Sequence, residues 1–104
     1  MITVKHIRLV SGSLSDIRYI GRPSPLGNPF VIGEDGDRIQ VIAKYEKWLR
    51  KKIKEKNKKV MDRLTALFMF VDDDEDLELW CWCAPLPCHG DVIKKILLEW
   101  RKKK

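Results

Sequence analysis

Sulfur and imidazole are scarce in this chain, which holds three cysteines and two histidines among 104 residues. An odd number of cysteines, with Cys81 and Cys83 only two positions apart, excludes a secreted disulfide framework and makes a reducing cytoplasm the expected compartment. Long apolar runs are missing, so no membrane partner is expected. Met1 to Val10 carries Lys5, His6 and Arg8 and lacks the apolar centre of a signal peptide. The chain has no Cys-x-x-Cys pair, no internal repeat and no low-complexity segment, and no pair of carboxylates at a suggestive spacing stands out.

What is present is charge around an adequate core. The chain is 44% hydrophobic and 35% charged, with a net charge of +6. The charged share exceeds the usual figure of about a quarter. A basic balance makes nucleic acid or another polyanion a candidate partner. The preference for Lys, Glu and Asp over Asn, Gln and Ser is common in proteins from hot environments, so a thermophilic source is expected. The length suits one domain, residues 1–104. Charge gathers in a basic stretch from Lys44 to Lys59, an acidic block from Asp72 to Asp76 and a basic end from Arg101 to Lys104. Their plainest reading is solvated faces, with the last complementing a helix dipole.

Hydrophobic periodicity then places elements. Ile2 to Val10 is rich in β-branched residues and predicts a strand. Ser11 to Ser15 is a polar turn, and Asp16 to Ile20 a short strand stopped by Gly21. Gly21 to Gly36 holds three of the five prolines and predicts an ordered, packed loop. Asp37 is placed to cap a helix, with Gln40 as the reciprocal partner. Val41, Ile42, Tyr45, Trp48, Leu49 and Ile53 share one stripe of it. A second stripe runs through Val60, Leu64, Leu67, Phe68 and Val71. Leu77 to Cys83 alternates, with Leu77, Leu79, Cys81 and Cys83 on one face and Trp80 and Trp82 on the other. That pattern predicts an inner strand covered by helices on both sides. A last helix, expected from Asp91, aligns Val92, Ile93, Ile96, Leu97 and Trp100. The expected fold class is α/β: a single sheet of about three to four strands, mostly parallel, flanked by about three helices in a Rossmann-like three-layer arrangement. The four tryptophans are expected in the core, and His6 reads as a satisfied strand histidine.

Two loops are candidates for chemistry. In Pro87-Cys88-His89-Gly90-Asp91 the first turn of the last helix offers free N–H groups and a positive dipole end. These suit an anion or a thiolate at Cys88. Gly90 allows close approach of a ligand. Asp91 counts partly against an anion, because it can cap the helix itself. The bland alternative is a helix cap beside a buried cysteine. For an enzyme, Cys88 is the candidate nucleophile and His89 the candidate acid or base. Cys81, Cys83, Cys88 and His89 are the right types for zinc, but Cys81 and Cys83 would lie about 7 Å apart along a strand. The expectation is therefore no metal and no cofactor, with a zinc-stapled structural domain as an alternative. In the second loop, residues 19–30, a rigid Pro-rich frame presents Arg22, Ser24 and Asn28. Arg22 suits a phosphate or carboxylate, and Ser24 and Asn28 supply polar contacts. A rigid crossover with Arg22 on the surface explains that loop equally well.

The stretches Tyr19-Ile20-Gly21-Arg22-Pro23-Ser24-Pro25-Leu26-Gly27-Asn28-Pro29-Phe30 and Cys81-Trp82-Cys83-Ala84-Pro85-Leu86-Pro87-Cys88-His89-Gly90-Asp91-Val92 resemble the two signature blocks of domain-of-unknown-function family 4326. Arg38, Tyr45 and Trp48-Leu49 resemble the family's intervening helix. The likeness runs roughly from Val4 to Leu98. It implies a small stand-alone α/β protein of a phage, archaeal virus or prokaryote, acting in the host cytoplasm if viral, and it carries no catalytic assignment. The resulting expectation is a pocket for a small anionic ligand, such as a nucleotide or phosphate compound. The two loops would form it, with Arg22, Ser24, Asn28, Cys88, Gly90 and Asp91 binding. A nucleic-acid-binding or assembly protein of a virus or mobile element, using Lys44 to Lys59 and Arg101 to Lys104, is the alternative from another class.

Overall fold

A computed structural model describes residues 2–9, 16–22, 24–72, 76–82 and 86–102. The capping signal at Asp37 starts the first long helix, α1 (Arg38–Lys54). Asp37 accepts from the Gln40 N–H at 2.8 Å, and the Gln40 side chain accepts from the Asp37 N–H at 2.9 Å. Two donors that the helix leaves open are thereby satisfied. At the other end Lys56 turns left-handed, with φ 57°. Its N–H reaches Ile53 O and the Asn57 N–H reaches Lys52 O, both at 3.0 Å, the paired bonds of a Schellman close. Asn57 then caps α2 (Lys58–Asp72) by accepting from the Val60 N–H at 3.2 Å. One residue ends a helix and begins the next, where the apolar stripe breaks.

The first strand, β1 (Ile2–His6), is shorter than expected and passes into a 3-10 turn, Ile7–Leu9. It pairs in parallel with β2 (Leu77–Cys81), in the register Ile2 with Leu77 and Lys5 with Trp80. On the opposite edge of β2, Tyr19 pairs with Trp80 in a single parallel bridge. The Trp80 N–H donates to Arg18 O at 2.8 Å and its carbonyl accepts from the Ile20 N–H at 2.9 Å. Thus β2 is an inner strand, but Asp16 to Ile20 contributes a bridge and not a strand. Ser11 to Ser15 and Cys83 lie outside the described residues.

The helices all serve one face of this sheet. Leu77, Leu79 and Cys81 join Tyr45, Leu49, Leu64, Leu67, Ile93 and Ile96 in the main core. Trp80 turns the other way, into a separate small cluster with Ile7 and Tyr19, and the Arg18 guanidinium stands 4.2 Å above its ring. The architecture is α/β with a two-stranded parallel sheet. The described residues do not form the fuller sheet or the Rossmann-like third layer. The large apolar side chain that predicted a second helical layer is covered instead by a loop tyrosine, a 3-10 turn and an arginine. The last helix, α3 (His89–Lys102), packs on α1 and α2. Arg50 to Glu99 at 2.9 Å and Lys95 to Glu46 at 3.2 Å tie α3 to α1. No described helix is long and apolar enough to cross a membrane.

Candidate functional site

The 19–30 loop is folded on itself before any ligand is considered. Two tight turns, Ser24 N–H to Gly21 O and Gly27 N–H to Ser24 O, both at 2.8 Å, bring its ends together. Leu26 is fully buried, and its carbonyl accepts the buried Tyr45 hydroxyl at 2.6 Å. Burial pushes the Tyr45 phenol well above its usual pKa, with the neighbouring Cys88 adding to the effect, so Tyr45 stays a neutral donor. The Arg22 guanidinium staples the loop from outside, donating to Asn28 O at 2.7 Å and Phe30 O at 3.1 Å. The Asn28 side chain accepts from the Phe30 N–H at 2.9 Å. Ser24 accepts from the Leu26 N–H at 3.2 Å, a local turn contact. Pro23 lies outside the described residues.

The second loop is set by the start of α3, which begins at His89, two residues earlier than expected. Cys88 is the cap: its sulfur accepts from the Gly90 N–H at 3.3 Å, and the Asp91 carboxylate accepts from the Cys88 N–H at 3.1 Å. The Asp91 N–H bonds Cys88 O at 3.0 Å. These contacts occupy the N–H groups of Cys88, Gly90 and Asp91 that were expected to hold an anion. Gly90 does not face a ligand either. A Cβ there would sit 3.0 Å from Ile20 Cδ1 and Val4 Cγ1, so the glycine lets α3 lie close on β1.

The loops meet all the same. Trp82 donates its indole N–H to the Tyr19 hydroxyl at 3.0 Å, and Tyr19 donates to the Arg22 carbonyl. Arg38, the first residue of α1, donates to Pro87 O at 3.0 Å. Between the loops lies a cavity of about 420 Å³, lined by Arg22, Asn28, Cys88 and His89 from the expected set. Ser24, Gly90 and Asp91, expected to bind, do not line it. Tyr19, Phe30, Arg38 and Trp82 do. Arg38 at the start of α1 and Cys88 and His89 at the start of α3 line this space, and no Asp or Glu among the described residues does. Neither Arg22 nor Arg38 is ion-paired among the described residues; both guanidinium groups donate only to neutral carbonyls. The cavity therefore presents two arginines and an aromatic wall.

His89 is 7% exposed. Its Nε2 lies 2.6 Å from Ile20 O, an atom that can only accept, so Nε2 carries a proton. Burial holds the imidazole below its usual pKa and the Arg22 charge acts the same way, against the Ile20 hydrogen bond and Asp91. Nδ1 makes no hydrogen bond to the described residues, and no buried side-chain nitrogen or oxygen among them is left unpartnered. Nδ1 thus meets solvent through the cavity that His89 lines. The ring stands edge-on to Tyr45 with centroids 5.0 Å apart. No hydrogen bond joins His89 to Cys88, so the expected nucleophile and base are neighbours without being a coupled pair.

Cys81 and Cys88 bring their sulfurs to 3.3 Å. Among the described residues no group of three metal-ligating side chains exists, and Cys83, the remaining thiol of the expected zinc set, lies outside them. His6 accepts from the Arg8 N–H at 3.1 Å and packs edge-on to Trp82. Trp82 itself is 51% exposed, a cavity wall and not core. Arg38 carried a legible signal: a cation in the first turn of a helix opposes the dipole there, which marks it as placed for something else. The basic stretch forms an exposed side of α1 and the turn after it, although Arg50 within it is neutralised by Glu46 and Glu99.

No curated protein and no solved structure matches this chain. The model of one family, the domain of unknown function DUF4326, matches residues 5–99 and takes in both loops, α1, α2, most of α3 and the cavity between the loops. The chain belongs to that family.

Proposed function

We propose that this protein binds a small anionic ligand carrying a planar ring, of the nucleotide class, in the cavity between the 19–30 and 81–92 loops. The observation that carries this reading is the cavity's lining: two arginines, a half-exposed indole and, among the described residues, no carboxylate side chain. Arginine forks suit phosphate and carboxylate oxygens. The Trp82 and Phe30 rings offer faces on which a base can stack. A volume of about 420 Å³ falls within the range of roughly 300–1,000 Å³ usual for small-molecule sites. The Cys88 loop contributes shape and the His89 acceptor, since its own N–H groups are engaged. Catalysis is not part of this proposal, because His89 donates to Ile20 and not to Cys88.

Titration calorimetry with nucleoside monophosphates, the matching nucleosides and inorganic phosphate tests the reading. A monophosphate should bind more tightly than either half, and Arg38→Ala or Arg22→Lys should weaken it by about tenfold or more, the scale of a lost charged hydrogen bond. Binding that is absent at millimolar concentration, or unaffected by both variants, would overturn it. A protein that instead takes up oligonucleotides, with affinity falling steeply as salt rises, would be using the basic side of α1.

A further inference from the structure

Cys81 ends β2 and Cys88 caps α3, yet their sulfurs lie 3.3 Å apart. A disulfide spans about 2.05 Å, so a small approach of α3 to β2 would join them. Both thiols are buried, and they differ in what they face. Cys81 is 1% exposed and Cys88 3%, both within the main core. Cys88 lines the cavity, and its sulfur accepts the Gly90 N–H at the start of α3, a hydrogen bond that supports a thiolate against burial and the nearby Asp91 carboxylate. Of the two, Cys88 alone lines the cavity, so a small reactant would meet its sulfur first, with Cys81 behind it.

We propose that Cys81 and Cys88 form a reversible dithiol–disulfide pair, with Cys88 the attacking thiol and Cys81 the resolving one. A peroxide is the co-reactant. The Cys88 thiolate attacks one peroxide oxygen and the O–O bond breaks. The other oxygen leaves as hydroxide and takes a proton to become water, leaving a sulfenic acid on Cys88. The Cys81 sulfur then attacks the Cys88 sulfur, the S–S bond forms and the S–O bond breaks. The departing hydroxide takes the Cys81 proton as a second water. Two thiols are oxidised by two electrons while one peroxide becomes two waters, and an external dithiol reverses the step by exchange, itself becoming a disulfide. The bond would pin the end of β2 to the start of α3 beside the cavity. This proposal stands independently of the ligand reading.

The test uses the whole, reduced chain treated with stoichiometric hydrogen peroxide, then denatured and alkylated with N-ethylmaleimide. The expected result is a mass lower by about 2 Da before alkylation, for the two hydrogens lost. One adduct should then form on the three cysteines, and dithiothreitol should restore all of them. Cys83→Ala should still form the bond and take no adduct. Cys81→Ser should stop at a sulfenic acid on Cys88 that dimedone traps. Should a variant fail to fold, the native chain suffices: chymotryptic cleavage after Trp82 separates Cys81 from the other two, and fragmentation reads which of them holds it. Three adducts after oxidation, or a bond mapped to Cys83, would overturn the proposal.

Discussion

At the scale of single residues, contacts across the chain decide what a side chain can do. Gly21 shows this most sharply. A Cβ there would lie 2.5 Å from the Tyr19 hydroxyl and 2.7 Å from Cζ of the same ring. That ring is 1% exposed and joins Trp82 to the Arg22 carbonyl, so it has nowhere to move. Gly21→Ala should therefore destabilise the fold by about 1–3 kcal/mol, the usual cost of overpacking. It should also free the Trp82 indole from its partner. A lower thermal midpoint, together with a changed tryptophan emission that Tyr19→Phe reproduces only in part, is the expected result. The sequence marked Gly21 as a stop for a strand, which is true but incomplete. Its closer constraint is a ring two residues away, whose position is fixed by residues sixty positions further on.

Among the elements, the junction of α1 and α2 is the most readily improved. Lys56 occupies the left-handed position of a Schellman close, at φ 57°. A side chain there costs roughly 1 kcal/mol relative to glycine, partly offset by glycine's larger freedom in the unfolded chain. Lys56→Gly should raise stability by about 0.5–1 kcal/mol, read as a higher urea midpoint with an unchanged slope. Asn57→Ala should act the other way by about 1 kcal/mol, since it removes the cap of α2. The capping of α1 and all three apolar stripes were legible in the sequence, because a helix is written in spacings of three and four residues. The start of α3 was not. Cysteine is an uncommon cap, and Asp91 fits the cap position by composition while serving as the reciprocal partner three residues in.

For the whole molecule, the buried imidazole and the paired carboxylates set the response to acid. His89 titrates near 6.5 when unfolded and lower when folded, because burial disfavours its charged form. Between those values the unfolded chain holds a proton that the folded chain refuses. The stability tied to His89 is therefore complete above about pH 6.5 and falls as pH drops through the folded value. Asp16, held low by Arg18, Glu46, held low by Arg50 and Lys95, and Glu78, held low by Lys5 and Trp80, follow the same sign further into acid. The thermal midpoint should be flat above neutrality and decline below it in two stages. His89→Gln, which retains a donor for Ile20 O without a titrating ring, should remove the first stage. A first stage left intact in that variant would assign it to another group.

The sequence by itself determined the α/β class, the three helical segments, the buried alternation of β2 and the two loops where the cavity lies. Each of these is a local pattern, set by which side chains within a few positions can share a face or a cap. Only the tertiary structure decided that Arg38 and Trp82 belong to the site and that Ser24, Gly90 and Asp91 do not line it. It likewise decided that Trp80 is covered by a loop and not a helix. The contacts that made those decisions join residues 49, 63 and 69 positions apart: Arg38 to Pro87, Trp82 to Tyr19 and His89 to Ile20. No local spacing encodes such a pairing. It exists only once α3 has closed on β1 and carried one loop against the other.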